Sequence, residues 1–166
     1  MPISSIFAMK SVIDSWLLGL GYSLDSAVAD IVDNSISARA SEVHIDTGWN
    51  KGKPFLVIAD NGFGMNSVEC QAAMQLGAVG PASQRDESDL GRFGMGLKTA
   101  SFSQCKQLSI ISRKSENESW YGLRWDLDLV EKTNSWKVVV LDEEEMSKIV
   151  SNSSSNLEVG TYVYWG

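Results

Sequence analysis

Three short elements follow one another between Asp30 and Lys98, and they constrain the fold more than any bulk property of the chain. They are Asp30-Ile31-Val32-Asp33-Asn34-Ser35, then Asp60-Asn61-Gly62-Phe63-Gly64-Met65, then Gly91-Arg92-Phe93-Gly94-Met95-Gly96-Leu97-Lys98. The first offers carboxylate and amide side chains, the second an aspartate on a glycine-rich turn, the third a glycine-rich anion cradle. Together they can hold a metal ion, a base and a row of phosphates. No one of them is specific alone.

The helix 26–38 shows why. Residues three and four apart share a face, so Asp30, Asp33, Asn34 and Ser37 fall on one arc while Val28, Ile31, Val32 and Ile36 point largely the other way. An amphipathic surface helix explains that pattern equally well. However, solvent faces usually carry Glu and Lys, and Asp, Asn and Ser lower helix propensity in an interior. Asp60 ends the apolar run 55–59, and Asn61-Gly62 reads as a hairpin turn. A second glycine at Gly64 is more than a hairpin needs, and the pair suits a flat group approaching the backbone beside a carboxylate, such as an adenine. The cradle misses the phosphate-loop pattern by one inserted residue, Leu97, and the preceding 86–90 segment is not a buried strand, so neither a P-loop nor a Rossmann fingerprint is present. Its glycines nonetheless lead into a helix at 95–103 whose free amides favour phosphate. A flexible hinge before a buried helix is the alternative.

With 166 residues and 43% hydrophobic content, the chain is long enough for a single domain, 1–166, with its own core. The first twenty residues show no signal-peptide pattern, and no apolar run reaches a membrane span. A cytoplasmic protein is expected. Cys70 and Cys105 form no metal pattern and are expected as reduced, buried thiols. The net charge of −7 argues against direct contact with a nucleic-acid backbone. It does not oppose a metal-bridged nucleotide, because glycine amides and a cation set the local potential.

Helices are expected at 12–20, 26–38, 67–76 and 95–103, with another short one opening at Asp142. Strands are expected at 43–46, 55–59, 108–112, 120–125, 136–141 and 161–165. Residues 48–54 are a turn-rich hairpin connection, 77–90 a long loop of functional type, and 151–156 a polar linker within the domain. His44, the only histidine, sits mid-strand and is structural, which excludes histidine-dependent triad chemistry. The six tryptophans are read as core or interface. A domain rarely ends inside a strand, so the chain is expected to be the N-terminal part of a longer protein.

The order of these elements resembles the GHKL nucleotide-binding superfamily, which includes the ATPase domains of DNA gyrase B, heat-shock chaperones, histidine kinases and MutL. Asp30 and Asn34 match the acid that activates water and the asparagine that coordinates magnesium. Asp60, with Gly62, Gly64 and Met65, resembles the adenine-binding motif. Gly91, Arg92, Phe93, Gly94, Met95, Gly96, Leu97 and Lys98 resemble the motif whose amides hold the phosphates, and residues 78–90 correspond to the ATP lid. Gly160-Thr161 resembles the last motif, whose threonine supports the adenine site. The run from Gly94 to Lys98 is most similar to the MORC-like branch, whose bacterial members sit in longer proteins of DNA metabolism or defence.

The resemblance implies a Bergerat-type two-layer α/β sandwich, with helices on one face of a mixed β-sheet. It implies binding and slow hydrolysis of Mg-ATP to ADP as a conformational switch, and an ATP-dependent homodimer of the full-length protein. Asp30 is the catalytic residue in this scheme, Asn34 the metal ligand, and Ser37 a further nucleotide contact. One departure concerns catalysis: the family's ATPases usually carry glutamate where Asp30 stands, shorter here by one methylene, about 1.5 Å. The resemblance also implies that a following domain supplies a lysine to the terminal phosphate. A nucleotide-gated dimerisation module without hydrolysis, and the ATP-binding half of a kinase, are the alternatives.

Overall fold

The computed structural model describes residues 23–75, 96–135 and 137–166. The expected helix at 12–20, the lid at 78–90, Gly91 to Met95 of the cradle and Trp136 lie outside them.

Helix α1 spans Leu24–Ser37. Ser23 caps it, its hydroxyl accepting the Ser26 amide at 3.2 Å, and Ala27, Ile31 and Ser35 form its buried stripe at a spacing of four. At the other end Ala40 N–H returns to Ser35 O and Arg39 N–H to Ile36 O, with Arg39 left-handed at φ 56°. That paired closure satisfies the terminal carbonyls. Strands β1 (Val43–Asn50) and β2 (Lys53–Asp60) join through Lys51 and Gly52, both at positive φ, a two-residue hairpin turn matched to strand twist. The connection is thus shorter than 48–54, because β1 continues through Trp49 and Asn50.

Helix α2, Ser67–Met74, starts with a capping box: Asn66 accepts the Glu69 amide and Glu69 accepts that of Asn66. Helix α3 is Gly96–Phe102, followed by β3 (Gln107–Arg113) and β4 (Tyr121–Asp126). Then comes α4, Leu127–Thr133, where the sequence reading assigned nothing. The Asp126 carboxylate caps it by accepting the Leu129 amide. Strand β5 is only Val139–Val140, shorter than expected, since Leu141 turns inward and donates to Gly122 O. Helix α5, Glu143–Val150, has its own capping box from Asp142 and Glu145. Strand β6 is Gly160–Trp165.

The six strands run β1-β2-β6-β3-β4-β5, so the strand nearest the end of the chain sits in the middle of the sheet. The α/β sandwich is as expected, but among the described residues the sheet is antiparallel rather than mixed, and helices do not lie on one face alone. Every pairing among the described strands is antiparallel, and helices α1 to α4 cover one face. On the other face lies α5, with Ile149 over Val57, Ala59, Ile111 and Tyr162. The physical reason is that the central strands are apolar on both sides, so both must be covered. The segment 151–157 completes this second layer rather than serving as a bare linker. Asp46 on β1 accepts from Ser153 Oγ, Ser154 N and Ser154 Oγ, and Leu157 N–H donates to the Tyr162 hydroxyl.

Trp125 and Trp165 are core residues, while Trp49 is exposed. Cys70 is buried and Cys105 half-buried, both free thiols, and burial pushes each up to about 12, so neither is a nucleophile at neutral pH. His44 lies on β1, 3.9 Å from Glu42. No described helix is long and apolar enough to cross a membrane.

Candidate functional site

Side chains alternate along strands, and the register places three polar ones in a row on the α1 face. Asp60, the last residue of β2, pairs with Thr161 of β6, and Thr161 pairs with Ser112 of β3. All three are buried. From above, Ser35 of α1 donates its hydroxyl to Asp60 Oδ2 at 2.9 Å, and Gly62 N–H donates to Oδ1 at 3.0 Å. Burial raises the Asp60 carboxyl above the usual carboxylate range, and the two hydrogen bonds work against that rise. Among the described residues the ionised group therefore has both oxygens partnered by donors and retains lone pairs for a further one.

The turn after β2 is not a hairpin, because it leads into α2. Asn61 pins it from below: its Oδ1 accepts the amides of Ser41 and Glu42, each at 2.9 Å. Phe63 N–H donates to Ala38 O. Gly64 is left-handed at φ 58°, and a Cβ there would lie 2.1 Å from Arg113 O. A Cβ on Gly62 would lie 2.7 Å from Ala38 O and 2.9 Å from Asp60 Oδ1. The sequence reading left room at these glycines for a flat ligand. The structure fills that room with the chain's own atoms, so the two glycines let the turn press against β3 and against the end of α1. Met65 N–H then donates to Ser112 Oγ at 2.8 Å.

One residue away from the inward Ser35, α1 turns Asn34 outward. Asp30 is half-buried, and Asp33, Asn34 and Ser37 are exposed. Among the described residues no group of three or more His, Cys, Asp or Glu side chains could hold a metal. A magnesium ion here would thus rely on one or two protein oxygens plus phosphate oxygens. That is how magnesium commonly binds nucleotides, keeping water and taking few protein ligands, so the exposed Asn34 amide fits it.

Of the anion cradle, Gly96, Leu97 and Lys98 are described, on α3, which packs along α1. Lys98 is 3% exposed and donates its ammonium to Gln75 O at the end of α2. Desolvation holds its ammonium below the usual lysine value. It binds α3 to α2 rather than reaching into open solvent.

Two residues of the site, Ser35 and Ser112, were not singled out in the sequence. Ser35 was legible: a serine on the stripe of Ala27 and Ile31 breaks an apolar face for which some partner must exist. Ser112 continues the alternation of Leu108 and Ile110 but meets Met65 and Thr161 only through register, 47 and 49 residues away.

Residues 22–161 match the family model described as histidine kinase-, DNA gyrase B- and HSP90-like ATPase. The chain is 34% identical over 89 residues to ATPase morc-1 of Caenorhabditis elegans, covering 54% of this chain and 10% of that protein. It is 34% identical over 100 residues to DNA mismatch repair protein MutL of Pasteurella multocida, covering 57% and 16%. It is 30% identical over 97 residues to chaperone protein HtpG of Vesicomyosocius okutanii, covering 52% and 15%. The matched stretch is thus at most a sixth of the length of each of these relatives.

Proposed function

The chain belongs to the histidine kinase-, DNA gyrase B- and HSP90-like ATPase family, and from that premise we propose that it binds an adenine nucleotide with magnesium and hydrolyses it slowly, as the conformational switch of a longer protein. The observation that carries this reading is the Asp60 carboxylate, buried yet kept ionisable by Ser35 and Gly62. An acceptor in that setting favours an amino group, as adenine presents. Thr161, beside it in register, completes the base-reading end.

The phosphate end follows from α1. Asp30 would accept a proton from, and orient, the attacking water, which needs hydrogen-bond reach. Its short side chain makes turnover the weaker half of the function. Asn34 would hold magnesium through its amide oxygen, and the metal, once bound, would neutralise charge on the transferring phosphate. Gly91 to Gly96 would supply amides and Lys98 a positive charge behind them. Relatives named as an ATPase and as a DNA mismatch repair protein support ATP use and a role in DNA metabolism; a defence role, a cytoplasmic location and a nucleotide-bound homodimer are further parts of the same proposal.

Calorimetry with ADP, and phosphate release from ATP, test the two halves separately. Asp60→Asn is expected to weaken ADP by about 1–3 kcal/mol, since one bond reverses polarity in a buried setting. Asp30→Ala is expected to abolish turnover and leave affinity nearly unchanged. Unchanged ADP affinity in Asp60→Asn would refute the base site. Wild-type phosphate release no faster than that of Asp30→Ala would make the domain a nucleotide-gated module without hydrolysis.

A further inference from the structure

We propose that Ser112 selects the purine, without touching it, by fixing the direction in which the Thr161 hydroxyl points; this deepens the nucleotide reading above and rests on it. Ser112 is fully buried, and its Oγ makes three polar contacts of 2.8 Å. It accepts Met65 N–H, it meets Gly160 O, and it meets Thr161 Oγ1.

A serine hydroxyl has one proton and two lone pairs. The amide of Met65 can only donate, so it occupies a lone pair. The carbonyl of Gly160 can only accept, so it takes the proton. The remaining contact is satisfied only when Thr161 donates to the second lone pair of Ser112. The opposite arrangement would spend the serine proton on Thr161 and leave two oxygens at 2.8 Å facing each other with no hydrogen between them. All three contacts are made in one polarity alone.

That polarity decides what Thr161 shows to a ligand. Its proton is directed inward along the sheet, so its outward side carries lone pairs only. Next to it in register stands Asp60, whose donors from Ser35 and Gly62 leave it likewise an acceptor. Both residues are partly open, at 8% and 5% exposure. Among the described residues the base-reading end therefore presents two side-chain acceptors side by side. An exocyclic amino group, with two N–H bonds, satisfies such a pair. A carbonyl in its place meets two lone-pair surfaces and is rejected, because a buried mismatch costs more than a missing bond. Ser112 is thus a positioning residue that acts through Thr161 and rejects 6-oxopurines.

The test compares affinities for ADP and inosine diphosphate by calorimetry. In Ser112→Ala the Thr161 proton is released and can turn outward toward a 6-oxo group. The ADP-to-IDP affinity ratio is expected to narrow about tenfold, the worth of one hydrogen bond, chiefly through tighter IDP binding. A serine that merely held the Met65 turn would weaken both ligands together and leave the ratio unchanged, which would overturn the proposal. Should Ser112→Ala not fold, near-isosteric Thr161→Val decides the same point. Losing an outward acceptor narrows the ratio, whereas losing an outward donor widens it and overturns the proposal. In the Thr161→Val background, Ser112→Ala is expected to leave the ratio where it was. Wild-type protein that binds IDP while failing to bind ADP would refute the adenine reading itself and the proposal with it.

Discussion

Gly64→Ala probes how the adenine-side turn is held, and its effect can be worked from two contributions. The first is backbone: alanine at φ 58° costs about 1 kcal/mol in the left-handed region. The second is contact: the new methyl would lie 2.1 Å from Arg113 O and 2.8 Å from Arg113 C. Both are main-chain atoms of β3, a strand paired on both sides, so the turn must withdraw. Withdrawal breaks Met65 N–H to Ser112 Oγ, and leaving a buried group unpaired costs about 1–3 kcal/mol. Together these give about 3 kcal/mol, or a Tm lower by about 6–12 °C for a domain of this size. Gly52→Ala is the internal control. Gly52 is also left-handed, at φ 81°, yet a Cβ there meets nothing within 4 Å, so only the backbone contribution remains and the expected loss is about 2–4 °C. Differential scanning calorimetry on both variants separates strain from contact. A Gly64→Ala shift no larger than that of Gly52→Ala would show that the turn does not press on β3.

Three further outcomes follow from the electrostatics. Because burial raises the Asp60 carboxyl, ADP affinity is expected to fall on acidification sooner than an ordinary carboxylate would allow; in Asp60→Asn that acid limb should vanish, and its persistence in titrations of the variant would place the titrating group elsewhere. Asp46 is shifted the other way, chiefly by the Ser154 amide. Its lowered value gives stability that is full above its unfolded value and lost as pH falls through its folded one, so the wild-type Tm should approach that of Asp46→Asn under acid, and parallel Tm curves would contradict this. Lys98→Met is expected to weaken ADP about tenfold through loss of the positive charge behind the phosphate amides while leaving adenosine affinity unchanged; equal losses for both ligands would confine Lys98 to its contact with Gln75.

The elements of this protein were legible where their signals are local. Asn66 and Asp142 announce helix starts because a cap bonds to amides within three residues, whereas the Ser23 cap, which starts its helix at Leu24 rather than 26, was not read. The continuous apolar run 55–59 and the largely apolar, aromatic run 161–165 report strands buried on both faces. The sequence likewise determined the family, because the four motifs are short and ordered. It missed α4, since Leu127, Leu129 and the intervening Asp128 alternate as a strand would, and only the Asp126 cap and the burial of Leu127 and Val130 decide for helix. It expected the helices on one face, whereas the second apolar face of the central strands required α5.

Register was decided by tertiary structure alone. That Asp60, Thr161 and Ser112 stand in one row depends on β6 entering between β2 and β3, a pairing across more than a hundred residues for Asp60 and Thr161. The same holds for the glycines: their presence could be read, but what fills the space beside Gly62 and Gly64 could not. The direction of the Lys98 ammonium depends on where α2 ends. Local bonding writes itself into neighbouring residues, whereas the polarity of a hydroxyl is set by whichever strand the fold brings beside it.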